Sequence, residues 1–267
     1  MSAAGGRTLA PEAVAATADE LAAAERDRAT VPLLTARHPG MTVEDAYAVQ
    51  AEWRRRAVAA GRRPVGRKIG LTSKVMQAAT GIDEPDYGAI FDDMVVPSGA
   101  EIEHGRYSNV RIEVELAFRL AEPLGPGATD DDVLRATEYV VPALEILSSR
   151  IELAGRTIVD TISDNAAMGA MVVGDTRVAP GDVDLPWVAA VLRRNGTIEE
   201  SGVAAAVLDH PARGVAWLAD KLAQHGDRLE AGELVLAGSF TRPVWVHPGD
   251  TVEADFRELG TVACRFV

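Results

Sequence analysis

The chain has 267 residues, 47% hydrophobic and 25% charged, and its 40 acidic and 27 basic side chains give a formal charge of −13. The hydrophobic content is too high for a disordered chain, the length suits one large domain or two small ones, and the acidic surplus argues against binding to nucleic-acid phosphates. The sequence shows no apolar run that could cross a bilayer, no signal peptide and a single cysteine, so we expect a soluble cytoplasmic protein without disulfides.

Residues 1–64 have the pattern of a helical N-terminal segment. Val14–Ala29 is rich in Ala, Glu and Leu and places its apolar residues at helical spacing. A further helix is predicted to begin after the capping residue Thr42, because acidic residues occupy its first turn and Ala46 and Trp53 fall on one face.

From residue 65 onward, short alternating runs separated by turn residues predict strands, so we expect an α+β protein whose domain 65–267 is mainly β. The predicted strands are Val110–Leu120, Val140–Leu147, Met168–Val173, Trp187–Arg194, Glu233–Ala237, Thr251–Phe256 and Thr261–Phe266. Asn195-Gly196 is typical of a two-residue hairpin turn. One helix is expected to interrupt the strands, beginning at Pro211 and ending near Gly226.

Two carboxylates share one face of a predicted strand. Arg111–Phe118 alternates strictly between apolar and polar residues, so Glu113 and Glu115 project together. One divalent cation can bridge such a pair, and oxygen-only ligands favour Mg²⁺ or Mn²⁺ over zinc. A solvated strand face is the alternative interpretation, because one side of an antiparallel sheet commonly faces water.

A third acidic residue, Glu145, lies inside the apolar run Tyr139–Leu147. An unpaired carboxylate is costly to bury, so Glu145 is expected to be protonated, ion-paired or bound to a cation. Arg150 and Arg111 are candidate partners in the purely structural interpretation. A buried acid near a carboxylate pair favours a site for a hard cation.

Lysine is rare in this chain, at Lys68, Lys74 and Lys221 only. Lys68 stands beside apolar and glycine residues, where partial desolvation would lower its pKa and suit it to proton transfer. An ordinary surface lysine is the alternative, and this is what we expect of Lys74 and Lys221. Asp86 lies in an acidic, turn-rich segment that favours a structural role.

Two other segments are rich in hydrogen-bonding groups, namely Asp160–Ala167 and Gly238–Pro243. Either could hold a carboxylate through hydroxyls and backbone N–H groups. Arg242 adds a guanidinium that can bind a carboxylate through two parallel hydrogen bonds.

Several of these segments belong to a series of motifs that resembles a known family. The motifs are Gly66–Lys74 (GRKIGLTSK), Glu84–Met94 (EPDYGAIFDDM), Arg111–Phe118 (RIEVELAF), Val141–Glu145 (VPALE), Asp160–Ala167 (DTISDNAA), Asn195–Val207 (NGTIEESGVAAAV) and Gly238–Val244 (GSFTRPV). In this order they resemble the hydratase/decarboxylase branch of the fumarylacetoacetate hydrolase superfamily, over nearly the whole chain. The resemblance implies a mixed β-roll preceded by helices, in a homo-oligomer.

The resemblance also implies an activity, the metal-dependent addition of water to a small 2-oxo-enoate diacid during aromatic catabolism. Four alternatives remain open within the superfamily: decarboxylation of such an acid, hydration of a shorter monoacid, hydrolytic carbon–carbon cleavage, and a catalytically silent partner of such an enzyme. The acidic ligands expected for Mg²⁺ or Mn²⁺ are Glu113, Glu115 and Glu145. The residues expected to move the proton are Lys68 and Asp86.

Substrate contacts are expected from Leu71, Ser163, Thr241 and Arg242. Of these, Arg242 is the candidate partner of a second, distal carboxylate. The chain departs from its relatives at Ser148, where they commonly carry an Asp after the third Glu. This difference removes a carboxylate near the strand predicted to bind the metal, so the charge around the metal is an open question.

Overall fold

The computed structural model describes residues 6–73, 77 and 84–267. The helices are α1 Pro11–Asp27, α2 Leu34–Arg37, α3 Val43–Ala59, α4 Asp130–Ala136, α5 Ile158–Ser163 and α6 Pro211–Gln224. The strands are β1 Pro64–Gly70, β2 Asp86–Phe91, β3 Val95–Pro97, β4 Ala100–Ile102, β5 Arg111–Leu120, β6 Thr137–Leu147, β7 Met168–Val173, β8 Ala189–Arg194, β9 Thr197–Val203, β10 Leu234–Leu236, β11 Val244–Trp245, β12 Thr251–Asp255 and β13 Thr261–Phe266. None of the described helices is long and apolar enough to cross a membrane.

The two long N-terminal helices are confirmed. Helix α1 begins earlier than predicted, at Pro11, because proline suits the first helical turn. Helix α3 begins after Thr42, whose side chain accepts a hydrogen bond from the backbone N–H of Asp45 in a complete capping box. From α3, the Gln50 amide donates to the carbonyls of Tyr87 and Ile162 at 2.8 and 3.0 Å, which ties the helix to β2 and α5.

The seven predicted strands are confirmed, with some shifted ends. Strand β6 begins at Thr137 rather than Val140. Strands β8 and β9 form the predicted hairpin, and both turn residues, Asn195 and Gly196, have the positive φ angles (53° and 78°) that its tight turn requires. Helix α6 ends before Gly226, whose φ of 72° terminates it.

Two predictions about local structure are wrong. The described chain has helices α4 and α5 among its strands besides α6, each begun by a capping box, at Thr129 and Thr157. Both helices are short, so their hydrophobic periodicity is weak. Asp86 lies on strand β2 rather than in a loop, because β2 pairs with β1 along its whole length. Lys74 lies outside the described residues.

The strands form two sheets. The larger has the order β2-β1-β10-β5-β6-β7-β3 with β11 added beside β5, and the smaller has the order β4-β13-β12-β8-β9. Parallel pairs (β1 with β10, β3 with β7, β4 with β13) occur among antiparallel ones, so the predicted mixed α+β architecture is confirmed. One hydrophobic core includes Leu21 and Trp53 of the helices together with the sheets. A unit boundary at residue 64 stays a prediction.

The capping box of α3 gives a test of how the helices stabilise the fold. We expect Thr42→Ala to lower the free energy of unfolding by about 1 kcal/mol, because the Asp45 N–H at the helix start loses its acceptor. Chemical denaturation measures the change, and Thr42→Ser, which keeps the hydroxyl, serves as the control. Equal stability of the two variants would contradict a role for the cap.

Candidate metal and substrate site

The centre of the larger sheet brings three carboxylates together. The β5–β6 register sets Glu113 directly opposite Glu145, and Glu115 follows Glu113 on the same face of β5. One carboxylate oxygen from each of the three lies within 4.8 Å of the others. Glu115 and Glu145 are each 1% exposed. The structure therefore assembles the predicted ligand set in the interior.

The electrostatics of this cluster favour a cation. Burial, reinforced by the charge of Glu145, raises the pKa of Glu113 to about 8 and that of Glu115 well above its ordinary value. Glu115 Oε2 accepts a hydrogen bond of 2.9 Å from the N–H of Gly238. Among the described residues, Glu115 Oε1 and Glu145 Oε2 have no hydrogen-bond partner, and Glu145 Oε1 has only an ion pair with Lys68. Free, convergent carboxylate oxygens fit Mg²⁺ or Mn²⁺, which prefer oxygen ligands.

Lys68 is the cation beside the cluster. Its Nζ lies 3.2 Å from Glu145 Oε1, and the residue is 3% exposed, so it is not a surface lysine. The predicted lowering of its pKa is wrong for the metal-free protein. Burial does lower the pKa, but the charges of Glu145, Asp86 and the two other acids outweigh it and raise the value to about 12.

Asp86 completes the group at the N-terminal end of β2. It is 1% exposed, and burial raises its pKa although Lys68 opposes the shift. Gly70, its partner across β1 and β2, leaves room for it: a Cβ there would lie 2.3 Å from Asp86 Oδ1 and 3.0 Å from Lys68 Nζ. A glycine is therefore required where the two groups meet.

The structural partners proposed for Glu145 are found elsewhere. Arg150 binds Asp164 through its Nε and donates to the Asp164 carbonyl at 2.6 Å. Arg111 forms no ion pair within the described part of the chain. Lys68 is thus the cation that neutralises Glu145.

A cavity of about 560 Å³ opens beside the cluster, between β1, β5, the segment before β7 and the segment after β10. Leu71 lines it in a left-handed conformation (φ 58°). Thr241 also lines it, but its hydroxyl accepts from the N–H of Val114 at 3.1 Å. Arg242 stands at the rim, 76% exposed and 2.7 Å from Glu200, so its charge is already partnered.

Ser163 does not line this cavity, and its hydroxyl donates to the carbonyl of Val159 at 2.8 Å. Its predicted contact with substrate stays a prediction. The polar side chains around it serve the fold: Asp164 binds Arg150, and the Asn165 amide bonds to both backbone groups of Ala89 at 2.7 and 2.9 Å. Asn165 thereby holds residues 165–167, all with positive φ, against β2.

Ser148 does not line the cavity either, although its neighbour Leu147 does. The Ser148 hydroxyl accepts from the N–H of Ser108 at 3.1 Å, next to Arg150 and Met168. The missing carboxylate therefore changes no side chain that lines the cavity. Lys221 differs from the surface lysine expected, because it is 9% exposed and binds Glu84 at 3.0 Å.

Two arginines of the cavity were missed by sequence reasoning about substrate. Arg111 was considered only as a partner of Glu145, although its position two residues before Glu113 puts it on the same strand face. Arg156 also lines the cavity, and its Nη1 donates to Ser149 Oγ at 2.9 Å. It lies in an irregular segment between β6 and α5, where no periodic pattern could have indicated its direction.

A buried cluster of carboxylates that could hold a cation, beside a lysine and in a mixed β fold preceded by helices, is an arrangement suited to a metal-dependent enzyme. The family model described as "Fumarylacetoacetate (FAA) hydrolase C-terminal" matches residues 65–267, and the chain belongs to this family. The resemblance seen in the motifs is thereby confirmed.

Individual relatives resemble the chain along most of its length. It is 51% identical over 257 residues to 2-oxo-hept-4-ene-1,7-dioate hydratase of Escherichia coli, covering 94% of this chain and 96% of that protein. It is 43% identical to 2-keto-4-pentenoate hydratase of Paraburkholderia xenovorans (strain LB400), covering 85% of each. A solved structure, 4-oxalocrotonate decarboxylase from Pseudomonas putida G7 complexed with magnesium and adipate, is 37% identical and superposes with a TM-score of 0.96 over 98% of this chain and 100% of that one.

The close approach at Gly70 can be tested directly. We expect Gly70→Ala to reduce turnover at least about tenfold while leaving the fold intact, because the new methyl group must displace Asp86 or Lys68. Steady-state kinetics and circular dichroism measure the two effects. Gly125→Ala, where an added Cβ has no neighbour within 4 Å, is the matched control. Full activity of the Gly70 variant would contradict the placement of the two groups.

The raised pKa of Glu113 predicts pH-dependent metal binding. Below about pH 8 the folded, metal-free protein keeps a proton on Glu113, and a divalent cation must displace that proton. The affinity for Mg²⁺ should therefore rise from pH 6 to pH 9, by up to about tenfold per unit for each displaced proton. Calorimetric titration measures it.

The same shift has a consequence for stability. Because the folded-state pKa is raised, the unfolded chain binds fewer protons between its ordinary value of 4.5 and about 8, so the metal-free protein should lose stability as the pH rises through that range. Mg²⁺ should restore more stability at pH 9 than at pH 6. A Mg²⁺ affinity that is flat over this range would show that no ligand proton is displaced.

Proposed function

We propose that this protein is a metal-dependent hydro-lyase that adds water to 2-oxohept-4-ene-1,7-dioate, forming 4-hydroxy-2-oxoheptanedioate. The observation that carries the proposal is the buried carboxylate cluster with free oxygens, 3.2 Å from a buried lysine. The 51% identical hydratase supports the reaction and the seven-carbon diacid. The magnesium in the structurally similar decarboxylase supports Mg²⁺, and Mn²⁺ has the same ligand preference.

Glu113, Glu115 and Glu145 would hold the metal. When bound, a divalent cation supplies Lewis-acid polarisation of a 2-oxo acid and neutralises negative charge that develops on it. Lys68, protonated at neutral pH, donates the proton that the substrate gains at its far alkene carbon when the double bond moves into conjugation with the ketone. Asp86, whose pKa is raised by burial so that its carboxylate is a stronger base, accepts the proton that the carbon beside the ketone loses in the same step. The walls of the cavity orient the carbon chain of the substrate, so that water reaches its distal alkene carbon.

Decarboxylation is the second candidate, because the structural likeness to 4-oxalocrotonate decarboxylase is high. Both reactions pass through a dienolate of a 2-oxo acid, so the same ligands serve either. The higher identity to the diacid hydratase favours hydration. A catalytically silent partner is disfavoured, since Lys68 and all three acids are present and converge.

We also propose a homo-oligomer and a cytoplasmic location. The homo-oligomer is what the family resemblance implies, and the exposure of Trp187 (72%) and Ile198 (60%) is compatible with it. The absence of a membrane-spanning helix among the described residues is compatible with the location.

A product assay tests the function. The protein with Mg²⁺ is incubated with three 2-oxo-enoates: a five-carbon monoacid, a six-carbon diacid and a seven-carbon diacid. We expect water addition without release of carbon dioxide, and the highest kcat/KM for the seven-carbon diacid. Preferred release of carbon dioxide would instead establish the decarboxylase, and preference for the monoacid a different hydratase.

Glu113→Gln is the matched control for this assay, since it keeps the shape of the side chain and removes its charge. The variant should remain folded and lose Mg²⁺-dependent turnover, because a neutral amide is a poor ligand for a hard cation. Full activity would overturn the assignment of the metal site.

A further inference from the structure

Arg111 carries two buried donors that nothing in the described protein uses. Its Nε and Nη2 are buried and have no hydrogen-bond partner among the residues described. These two atoms form one edge of the guanidinium group. An unsatisfied, charged donor pair inside a protein is unfavourable, and so it indicates a ligand that completes it.

The same edge binds carboxylates elsewhere in this structure. Arg55 holds both oxygens of Glu52 through Nε and Nη2, each at 2.8 Å. Arg26 holds Asp27 through the same two atoms, at 3.0 and 3.3 Å. The free edge of Arg111 therefore has the geometry of a bidentate carboxylate receptor.

The surroundings of Arg111 fix its place in the cavity. It lies opposite Trp245 in the β5–β11 pairing, and its guanidinium stands 5.6 Å from the centre of that ring. It lines the same cavity as Glu113 and Lys68. Of the other arginines of the cavity, Arg242 is paired with Glu200, whereas Arg156 donates one hydrogen bond to the hydroxyl of Ser149 and has no ion pair among the described residues.

The sheet register orders these groups along one line. Lys68 is level with Leu236 of β10, and Leu236 is level with Ala117 of β5. From Ala117 towards the N-terminal end of β5, the strand passes Glu115 and Glu113 and then reaches Arg111. Arg111 lies two residues, or about 7 Å, beyond Glu113. The backbone of Lys68 therefore lies beyond one end of the metal cluster and that of Arg111 beyond the other, and the Lys68 ammonium reaches into the cluster to Glu145.

This order determines which end of a substrate each cation can meet. The carbons that exchange protons must lie near Lys68 and Asp86. In a 2-oxo acid, the carboxylate is attached to the ketone carbon on the side away from those carbons. We infer that Arg111 binds the carboxylate adjacent to the 2-oxo group, by the edge formed by Nε and Nη2. This inference rests on the proposed function, because it takes the ligand to be a 2-oxo acid.

Loss of the Arg111 contact is expected to lower the affinity for long and short substrates equally. Every 2-oxo acid has this carboxylate, whereas only a diacid has the distal one. Loss of the Arg111 guanidinium should therefore weaken the binding of a monoacid and of a diacid by the same factor.

The test is calorimetric titration of the Mg²⁺-saturated protein with pyruvate and with 2-oxoadipate, which requires no turnover. We expect Arg111→Gln to weaken both ligands about ten- to a hundredfold, as for a lost charged hydrogen-bond pair. Arg111→Lys, which keeps the charge without the paired donors, should show a smaller loss for both ligands. Arg55→Gln removes the same kind of pair at the surface and should change neither affinity.

The outcomes separate the competing explanations. Weakening of 2-oxoadipate alone would place the distal carboxylate at Arg111 and overturn the inference. Unchanged affinities in folded Arg111 variants with a lowered Tm would make the residue structural, which also overturns it. If Arg111→Gln fails to fold, Arg111→Lys decides between the same outcomes. If the wild-type protein binds neither 2-oxo acid, the proposed function itself fails, so the two failures are distinguishable.

Discussion

The burial of several carboxylates around one lysine is the constraint on which the site depends. At an effective dielectric constant of about 20, two ionised carboxylates 4.8 Å apart repel each other by about 3–4 kcal/mol. The positive charge of Lys68 offsets this repulsion for Glu145, but one lysine cannot also neutralise Glu113, Glu115 and Asp86. The metal-free protein responds by keeping protons, as the raised pKa of Glu113 shows. A divalent cation removes the same repulsion without protons, so the fold holds the cluster ready for one.

The fold keeps this unfavourable cluster in place by anchoring each part from a different element. The β5–β6 pairing sets Glu113 against Glu145, and the β1–β2 pairing brings Asp86 toward Lys68. Helix α3 supports β2 through Gln50, and the Asn165 amide fixes the neighbouring left-handed segment to β2. The strain of that segment, of the order of 1 kcal/mol or more per left-handed residue, is borne by the surrounding packing. The helices before β1 thus contribute directly to the geometry of the site.

Sequence patterns predicted the local features well and the long-range ones poorly. Alternation alone put Glu113 and Glu115 on one strand face, and the Thr42 signal located α3, because both depend on neighbouring residues. The position of Asp86 on β2 depends on pairing with β1, which no local pattern records. The pKa of Lys68 was predicted in the wrong direction because its sign is decided by acids from β2, β5 and β6 that meet only in the folded chain. The family resemblance supplied the ligand set that alternation left open.

The acidic character of the chain and the anionic nature of its proposed substrate are compatible once charge is counted locally. The carboxylates at the cavity are Asp86, Glu113, Glu115, Glu145 and Glu200, and the cations are Lys68, Arg111, Arg156 and Arg242. Fully ionised, these nearly balance, and a divalent cation makes the sum positive. The overall charge of −13 therefore concerns the solvent-exposed surface, where it excludes nucleic acid, and has little bearing on the ligand. Arg242 is held by Glu200, whereas Arg111 and Arg156 line the same cavity without an ion pair among the described residues, so positive charge is available there to an anionic ligand.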